Sequence, residues 1–191
     1  MKIAEGTDEE VKDDAPGKIS GGNAKVYVRI RPHGTGVHAK DKEQVGDRTL
    51  ASWTDQSVTF DKKGTPVSFN YMNKVLGPEV DQAGAHEGVS AELLNAYLNG
   101  YNCTFLAYGQ TGTGKTHTMF GSPASLKSFE EDGEMHPEWG IFPRCTMAAI
   151  KYMAEKYDPS DYVFSCSCVD IYQWECFDLL NNRQKCKVVS E

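Results

Sequence analysis

The 191-residue chain contains no long apolar run. A membrane-spanning helix needs about 20 consecutive apolar residues, so none is expected. Met1 opens an acidic, polar stretch rather than a basic segment followed by an apolar one, which excludes a signal peptide there. Positive charge is also short. Lys and Arg total 20 against 27 Asp and Glu, a net charge of −7. That balance argues against a nucleic-acid coat protein and supplies no basic face for a membrane surface. Cysteine is present, but no C-x-x-C pair occurs among Cys103, Cys145, Cys166, Cys168, Cys176 and Cys186. The spacing does not suit a zinc site. It suits small buried hydrophobes in a reducing compartment. His33, His38, His86, His117 and His136 are scattered away from the cysteines. No internal repeat or low-complexity tract is visible, and the length suits one domain with a tail.

Residues 1–24 carry Lys2, Lys12 and Lys18 against Glu5, Asp8, Glu9, Glu10, Asp13 and Asp14, and end in Ser-Gly-Gly. They read as a disordered acidic leader. From residue 25, KVYVRIR alternates like a strand and is stopped by Pro32. A polar loop follows to residue 47. TLASW, SVTFD and PVSFNY then predict a small antiparallel patch, with D-K-K-G-T as the turn between the second and third runs. Within 79–99, Val89, Leu93, Leu94 and Leu98 share a helical stripe, with Ser90 as N-cap and Gly100 at the C-terminal end. CTFLAY (103–108) and YVFSCSCVDIY (162–172) read as strands buried on both faces. Residues 121–140 form a polar, acidic loop. Helical spacing returns over 141–156 with Met147, Ile150 and Met153. CFDLL reads as a turn or short helix, and KCKVV as the start of another strand. The alternation of strands and helices predicts a three-layer α/β domain.

The stretch Gly109-Gln110-Thr111-Gly112-Thr113-Gly114-Lys115-Thr116 matches G-x-x-x-x-G-K-[S/T] in full. Glycines let successive N–H groups point into one concavity that fits a phosphate chain. A helix starting near Gly114 adds a partial positive charge. Lys115 can reach the β and γ phosphates, and the Thr116 hydroxyl can ligate Mg²⁺. Typical residue frequencies give a chance match in about one chain per hundred. The position of the motif, after an apolar run and before a helix, narrows this further. Where open α/β sheets bind ligands beyond the carboxyl ends of their strands, Arg29, Arg31 and Pro32 at the end of the first strand could wall the base and ribose side. They could equally be ordinary strand-edge charges. No guanine-specificity motif of a G domain is visible. Asp170 follows an apolar run as a Walker B aspartate does, but no glycine follows it.

The string YGQTGTGKTHTM resembles the phosphate-binding loop of kinesin motor domains, a narrower pattern than the generic motif. VRIRP (28–32) resembles the adenine-side motif of that family. GYNCTFLAYGQTGTGKTHTM (100–119) resembles its strand, loop and helix start. GIFPR (140–144) resembles the resumption of the helix after an inserted loop, and VDIYQWECFDLL (169–180) the strand and turn that follow. The blocks stand in the family's order over about residues 25–180. Residues 25–191 therefore resemble the N-terminal portion of a kinesin-like motor domain. The implied fold is a three-layer αβα P-loop NTPase, with helices on both faces of a mixed central sheet and a small antiparallel edge patch.

The resemblance implies ATP or ADP with Mg²⁺ as ligands, and microtubules (tubulin) as the partner. Nucleic acid and membrane are not implied. Homodimerisation would run through segments outside these residues. The implied location is cytoplasm and microtubule cytoskeleton, cilium or flagellum included. Carried over residue by residue, Gly109 to Thr116 and His117 would hold the nucleotide, with Thr116 on the metal. Arg29, Arg31 and Pro32 would line the adenine pocket. His86, four residues after Gln82, falls where the family has an aromatic residue stacking on the base. An imidazole can stack there with less area. Residues 121–139 would be the inserted loop. In this family the loop can form an inhibitor pocket, although its acidity also suits a plain solvated loop. The family's Glu-Ile-Tyr-Asn-Glu reads Asp170-Ile171-Tyr172-Gln173-Trp174 here, and the resemblance places Asp170 in a strand other than Walker B. The two switch segments, the main track-binding helix and the neck linker would follow Glu191, so no catalytic residue is identifiable. The alternative is a truncated or degenerate module that binds nucleotide or partners without hydrolysis. A sheet cut midway should leave the isolated chain poorly soluble or dependent on a partner.

Overall fold

The computed structural model describes residues 24–32, 48–70, 73–127 and 135–187. The leader up to residue 23, the polar loop with His33 and His38, residues 128–134 of the acidic loop, and the last residues of KCKVV lie outside them. The chain divides into two compact units, Met1–Val80 and Asp81–Glu191. No helix among the described residues is long and apolar enough to cross a membrane.

In the first unit, strand β1 (Tyr27–Arg29) pairs in parallel with β5 (Lys74–Leu76), Val28 opposite Val75. The Ile30 amide extends the pairing to the Leu76 carbonyl at 2.9 Å. β5 is too short to announce itself by alternation, and only its pairing reveals it. β2 (Arg48–Trp53), β3 (Ser57–Lys62) and β4 (Thr65–Asn70) form the expected antiparallel meander. The predicted turn is a two-residue hairpin, with Lys63 and Gly64 at φ of 52° and 83°. The Asp61 carboxylate accepts from the Gly64 amide at 2.7 Å and fixes it. Phe60 and Phe69 meet edge to face at 6.1 Å. Val58, Val75 and Leu76 form the buried core of this unit, and the Val75 amide bonds the Asp55 carbonyl at 2.7 Å.

The second unit opens with helix α1 (Gln82–Ala85), which passes through a π-helical turn (His86–Ser90) into α2 (Ala91–Leu98). The helix thus starts earlier than its apolar stripe. Asp81 is the N-cap, its carboxylate accepting from the Gly84 amide at 2.7 Å. The expected cap, Ser90, does directly precede α2 but makes no side-chain cap bond, its hydroxyl bonding back to the His86 carbonyl at 3.1 Å instead. The end is as predicted. Gly100 is left-handed, its amide reaches the Tyr97 carbonyl, and the Tyr101 amide reaches the Ala96 carbonyl, a Schellman closure. Helix α3 (Lys115–Met119), helix α4 (Pro123–Lys127) and helix α5 (Ile141–Lys156) follow. The bounds of α5 are those expected, but its buried residues are Ile141, Pro143, Arg144 and Ala149, while Ile150 is exposed. The face is set by packing against the π-turn and α2.

Three segments depart from expectation. Residues 103–108 join no ladder among the described residues, and Leu106 and Tyr108 are 82% and 96% exposed. Residues 162–168 form no strand either, although the Cys168 carbonyl accepts from the Leu179 amide at 2.9 Å and carries the pairing of β6 (Val169–Tyr172) one residue further. Burial on both faces requires neighbouring strands and covering helices, which these runs do not find among the described residues. Of CFDLL (176–180), Cys176 to Asp178 lie in strand β7 (Glu175–Asp178), and Leu179 and Leu180 turn. β7 sits between β6 and β8 (Gln184–Cys186) in an antiparallel sheet. The β6–β7 hairpin turns on Gln173 and Trp174, both left-handed at φ of 48° and 68°.

Candidate functional site

The Gly-rich loop lies between residue 108 and α3. Gly114 caps α3 with φ of 101°, a conformation that a Cβ would oppose. The Thr113 hydroxyl and amide both close on the Gln110 carbonyl, at 2.8 and 3.3 Å. The Lys115 ammonium folds back across the loop and donates to the carbonyls of Gly109 and Gln110, each at 2.8 Å. Lys115 is the first residue of α3, so the loop's cation and the helix N-terminus coincide. Thr116 follows on the exposed side of the helix. A loop that concentrates positive potential around Lys115, with a hydroxyl one residue on, has the chemistry to take a polyphosphate and its Mg²⁺.

Around this loop the fold builds a support that the sequence reading missed. Gln82, 3% exposed, donates its amide to the His117 carbonyl at 2.6 Å and lies 3.2 Å from that ring. His117 Nε2 is 3.9 Å from the Glu138 carboxylate, with both side chains half-exposed. The chain returns to α3 through the Gly140 amide, which bonds the Phe120 carbonyl at 3.0 Å. A Cβ on Gly140 would stand 2.6 Å from backbone atoms of Thr118, Met119 and Phe120. Arg144, buried in α5, fastens that return. It donates to the carbonyls of Trp139 and Pro137 at 2.8 Å and of His136 at 3.2 Å. The buried Trp139 indole donates to the Ser125 carbonyl at 3.0 Å and closes the base of the inserted segment. Gly140 and Arg144 stand in the GIFPR block. Their bonding roles have no signal in periodicity.

His86 occupies the π-turn, half-buried. Its Nδ1 lies 2.8 Å from the Ser90 hydroxyl and 3.8 Å from the Cys145 thiol. Burial first, then the Arg144 guanidinium, lowers its pKa below the ordinary 6.5, with Glu87 opposing. The ring is therefore neutral at pH 7. Burial pushes the Cys145 thiol up, against a hydrogen bond with Ser90. That thiol stays protonated and unreactive.

The remaining candidates belong to the first unit. Arg29 ends β1 and donates to the Val80 carbonyl at 3.2 Å, and Arg31 and Pro32 follow it, exposed. The second unit brings together Gly109 to His117 with Gln82, and holds His86 against α5. Asp170 is engaged elsewhere, in a 2.8 Å ion pair with Arg183 across the β6–β8 sheet. Among the described residues no cluster of three or more His, Cys, Asp or Glu is placed to hold a metal ion.

The family model of the kinesin motor domain matches residues 29–191. Among curated proteins, the chain is 36% identical over 177 residues to kinesin-like protein Klp61F of Drosophila melanogaster. It is 36% identical over 162 residues to kinesin-like protein cut7 of Schizosaccharomyces pombe. These matches cover 91% and 83% of this chain but 16% and 14% of those proteins, so the chain spans about one sixth of their length. Among solved structures, that of a fast kinesin overlays at a TM-score of 0.63 with 25% identity, over 84% of this chain and 42% of that one. Drosophila NOD, in a structure docked with bovine tubulin, overlays at 0.56 with 23% identity, over 85% and 50%, a likeness of fold. These neighbours have the α/β P-loop NTPase fold expected from the sequence, and the chain carries part of it.

Proposed function

The chain belongs to the kinesin motor-domain family, and from that premise we propose that it is the ATP-binding part of a microtubule motor. The motor would couple ATP hydrolysis to movement along, or remodelling of, microtubules. The observation that carries this reading is the Lys115 ammonium lying across the carbonyls of Gly109 and Gln110 at the first residue of α3. When nucleotide binds, that ammonium exchanges two neutral carbonyls for phosphate oxygens, a stronger, charge-assisted contact. The loop from Gly109 to Thr113 would present backbone N–H groups, Gly114 sets the helix start, and the Thr116 hydroxyl would hold the metal. Mg²⁺ supplies charge neutralisation of the phosphates. Gln82 and His117 hold α3 in place. The family resemblance would assign Arg29, Arg31 and Pro32 to the adenine side and the His86 ring to stacking on the base. The setting is the microtubule cytoskeleton. The fast kinesin is a protein with an ATPase mechanism and interactions with microtubules, and it supports this reading by kinship.

A second reading, nucleotide binding without turnover, is favoured by one observation. The segment 103–108 that leads into the loop makes no ladder among the described residues. A loop whose stem is not held in a sheet would bind nucleotide without holding reactants in line. Phosphate release by the chain, with and without polymerised tubulin, separates the readings. Turnover abolished by Lys115→Ala supports the first, and nucleotide binding without turnover supports the second.

A further inference from the structure

Cys176 and Cys186 stand directly opposite each other in the β7–β8 pairing. Opposed residues of an antiparallel pair put their side chains on the same face, with Cα atoms about 4.5 to 5.5 Å apart. That spacing falls inside the range of about 4.4 to 6.8 Å that a disulfide bridges. Both thiols are free and partly accessible. The other cysteines lack such a partner. Cys103 faces the Leu93 carbonyl, and Cys145 lies beside His86. Ile171 pairs with Cys176, so the alternation of the sheet sends Cys168 to the opposite face. Cys166 sits in a run that forms no strand among the described residues.

We infer that Cys176 and Cys186 form a redox-responsive pair, closed to a cross-strand disulfide by a small-molecule disulfide such as oxidised glutathione. The Cys176 thiolate attacks one glutathione sulfur and expels a glutathione thiolate. The Cys186 thiolate then attacks the Cys176 sulfur of the mixed disulfide and expels the second glutathione. The two protein thiols lose two protons and two electrons, and the oxidant is reduced to two glutathione molecules. A bridge that forms in a reducing compartment is a transient, sensing one. Its structural effect is to fasten β8, a three-residue strand, to β7 across a turn in which Asn182 and Arg183 are both left-handed.

The test incubates the full chain with oxidised glutathione and maps the products by peptide mass spectrometry, natively and in urea. A single dominant crosslink between the peptides carrying Cys176 and Cys186 is expected under native conditions, with loss of that dominance in urea. Cys186→Ser should stop at a glutathione adduct on Cys176. Slower hydrogen exchange at Gln184–Cys186 should accompany the crosslink. No crosslink, a dominant bridge between any other pair, or the same product distribution in urea would overturn the inference.

Discussion

The side-chain amide of Gln82 donates a 2.6 Å hydrogen bond to the backbone carbonyl of His117. It joins the first residue of α1 to the middle of α3, the short helix that begins at Lys115. Gln82 is buried, so removing its side chain loses this bond and leaves space beside α3. Gln82→Ala should lower unfolding stability by about 1–3 kcal/mol and weaken nucleotide binding. Gln82→Glu should be at least as damaging, because it puts an acceptor against an acceptor. Urea titration with tryptophan fluorescence as the probe measures the first effect. An unchanged midpoint for both variants would remove Gln82 from the support of α3.

Gly140 tests the closeness of the return leg to α3. A methyl group there would meet backbone atoms at 2.6 Å, and backbone cannot swing aside as a side chain does. Gly140→Ala should cost about 1–3 kcal/mol or more. A thermal melt reads it, and a variant as stable as the parent would mean that the contact is looser than the structure has it.

His86 sets a pH dependence. Its folded-state pKa lies below the unfolded value of 6.5 because of burial and Arg144. Between the two values the unfolded chain binds more protons than the folded one, so stability rises with pH across that window. The contribution is fully present above 6.5 and is lost as pH falls through the depressed value. Melting temperatures recorded from pH 7.5 down to 5 should fall less steeply for His86→Gln than for the parent. Parallel curves would show that the ring titrates as it does in the unfolded chain.

Much of the site could be read before the fold was known, for identifiable reasons. The Gly109–Thr116 motif is a local pattern whose chemistry depends on its own backbone. The Asp61–Thr65 turn and the Gly100 helix stop are likewise local. Helix α1 escaped because its evidence is a cap, Asp81, and not a stripe. Ser90 stands at the start of α2 without capping it, because a serine that follows a helical turn can bond back to that turn, as it does to His86. The runs 103–108 and 162–168 read as buried strands, but burial depends on what else packs there and not on the run itself. The Gln173-Trp174 turn carries no turn-type residue, and the two left-handed φ values appear only in the pairing of Tyr172 with Glu175. Arg144 reads as an ordinary cation, and its three carbonyl partners come from a loop whose return path no periodicity describes.

Lys115 is the residue on which nucleotide binding at this loop depends. The direct measurement is the binding of ATP with Mg²⁺ to the purified chain, followed by the shift in melting temperature with ligand concentration, in the parent and in Lys115→Ala. A ligand that binds the folded state at about 100 times its dissociation constant stabilises by about 2.7 kcal/mol, several degrees for a chain of this size. The parent should show that shift and saturate, while Lys115→Ala, folded and with a similar melting temperature in the absence of ligand, should show none. An equal shift in both proteins, or no shift in the parent at saturating ATP and Mg²⁺, would contradict the assignment of residues 109–116 as the nucleotide site.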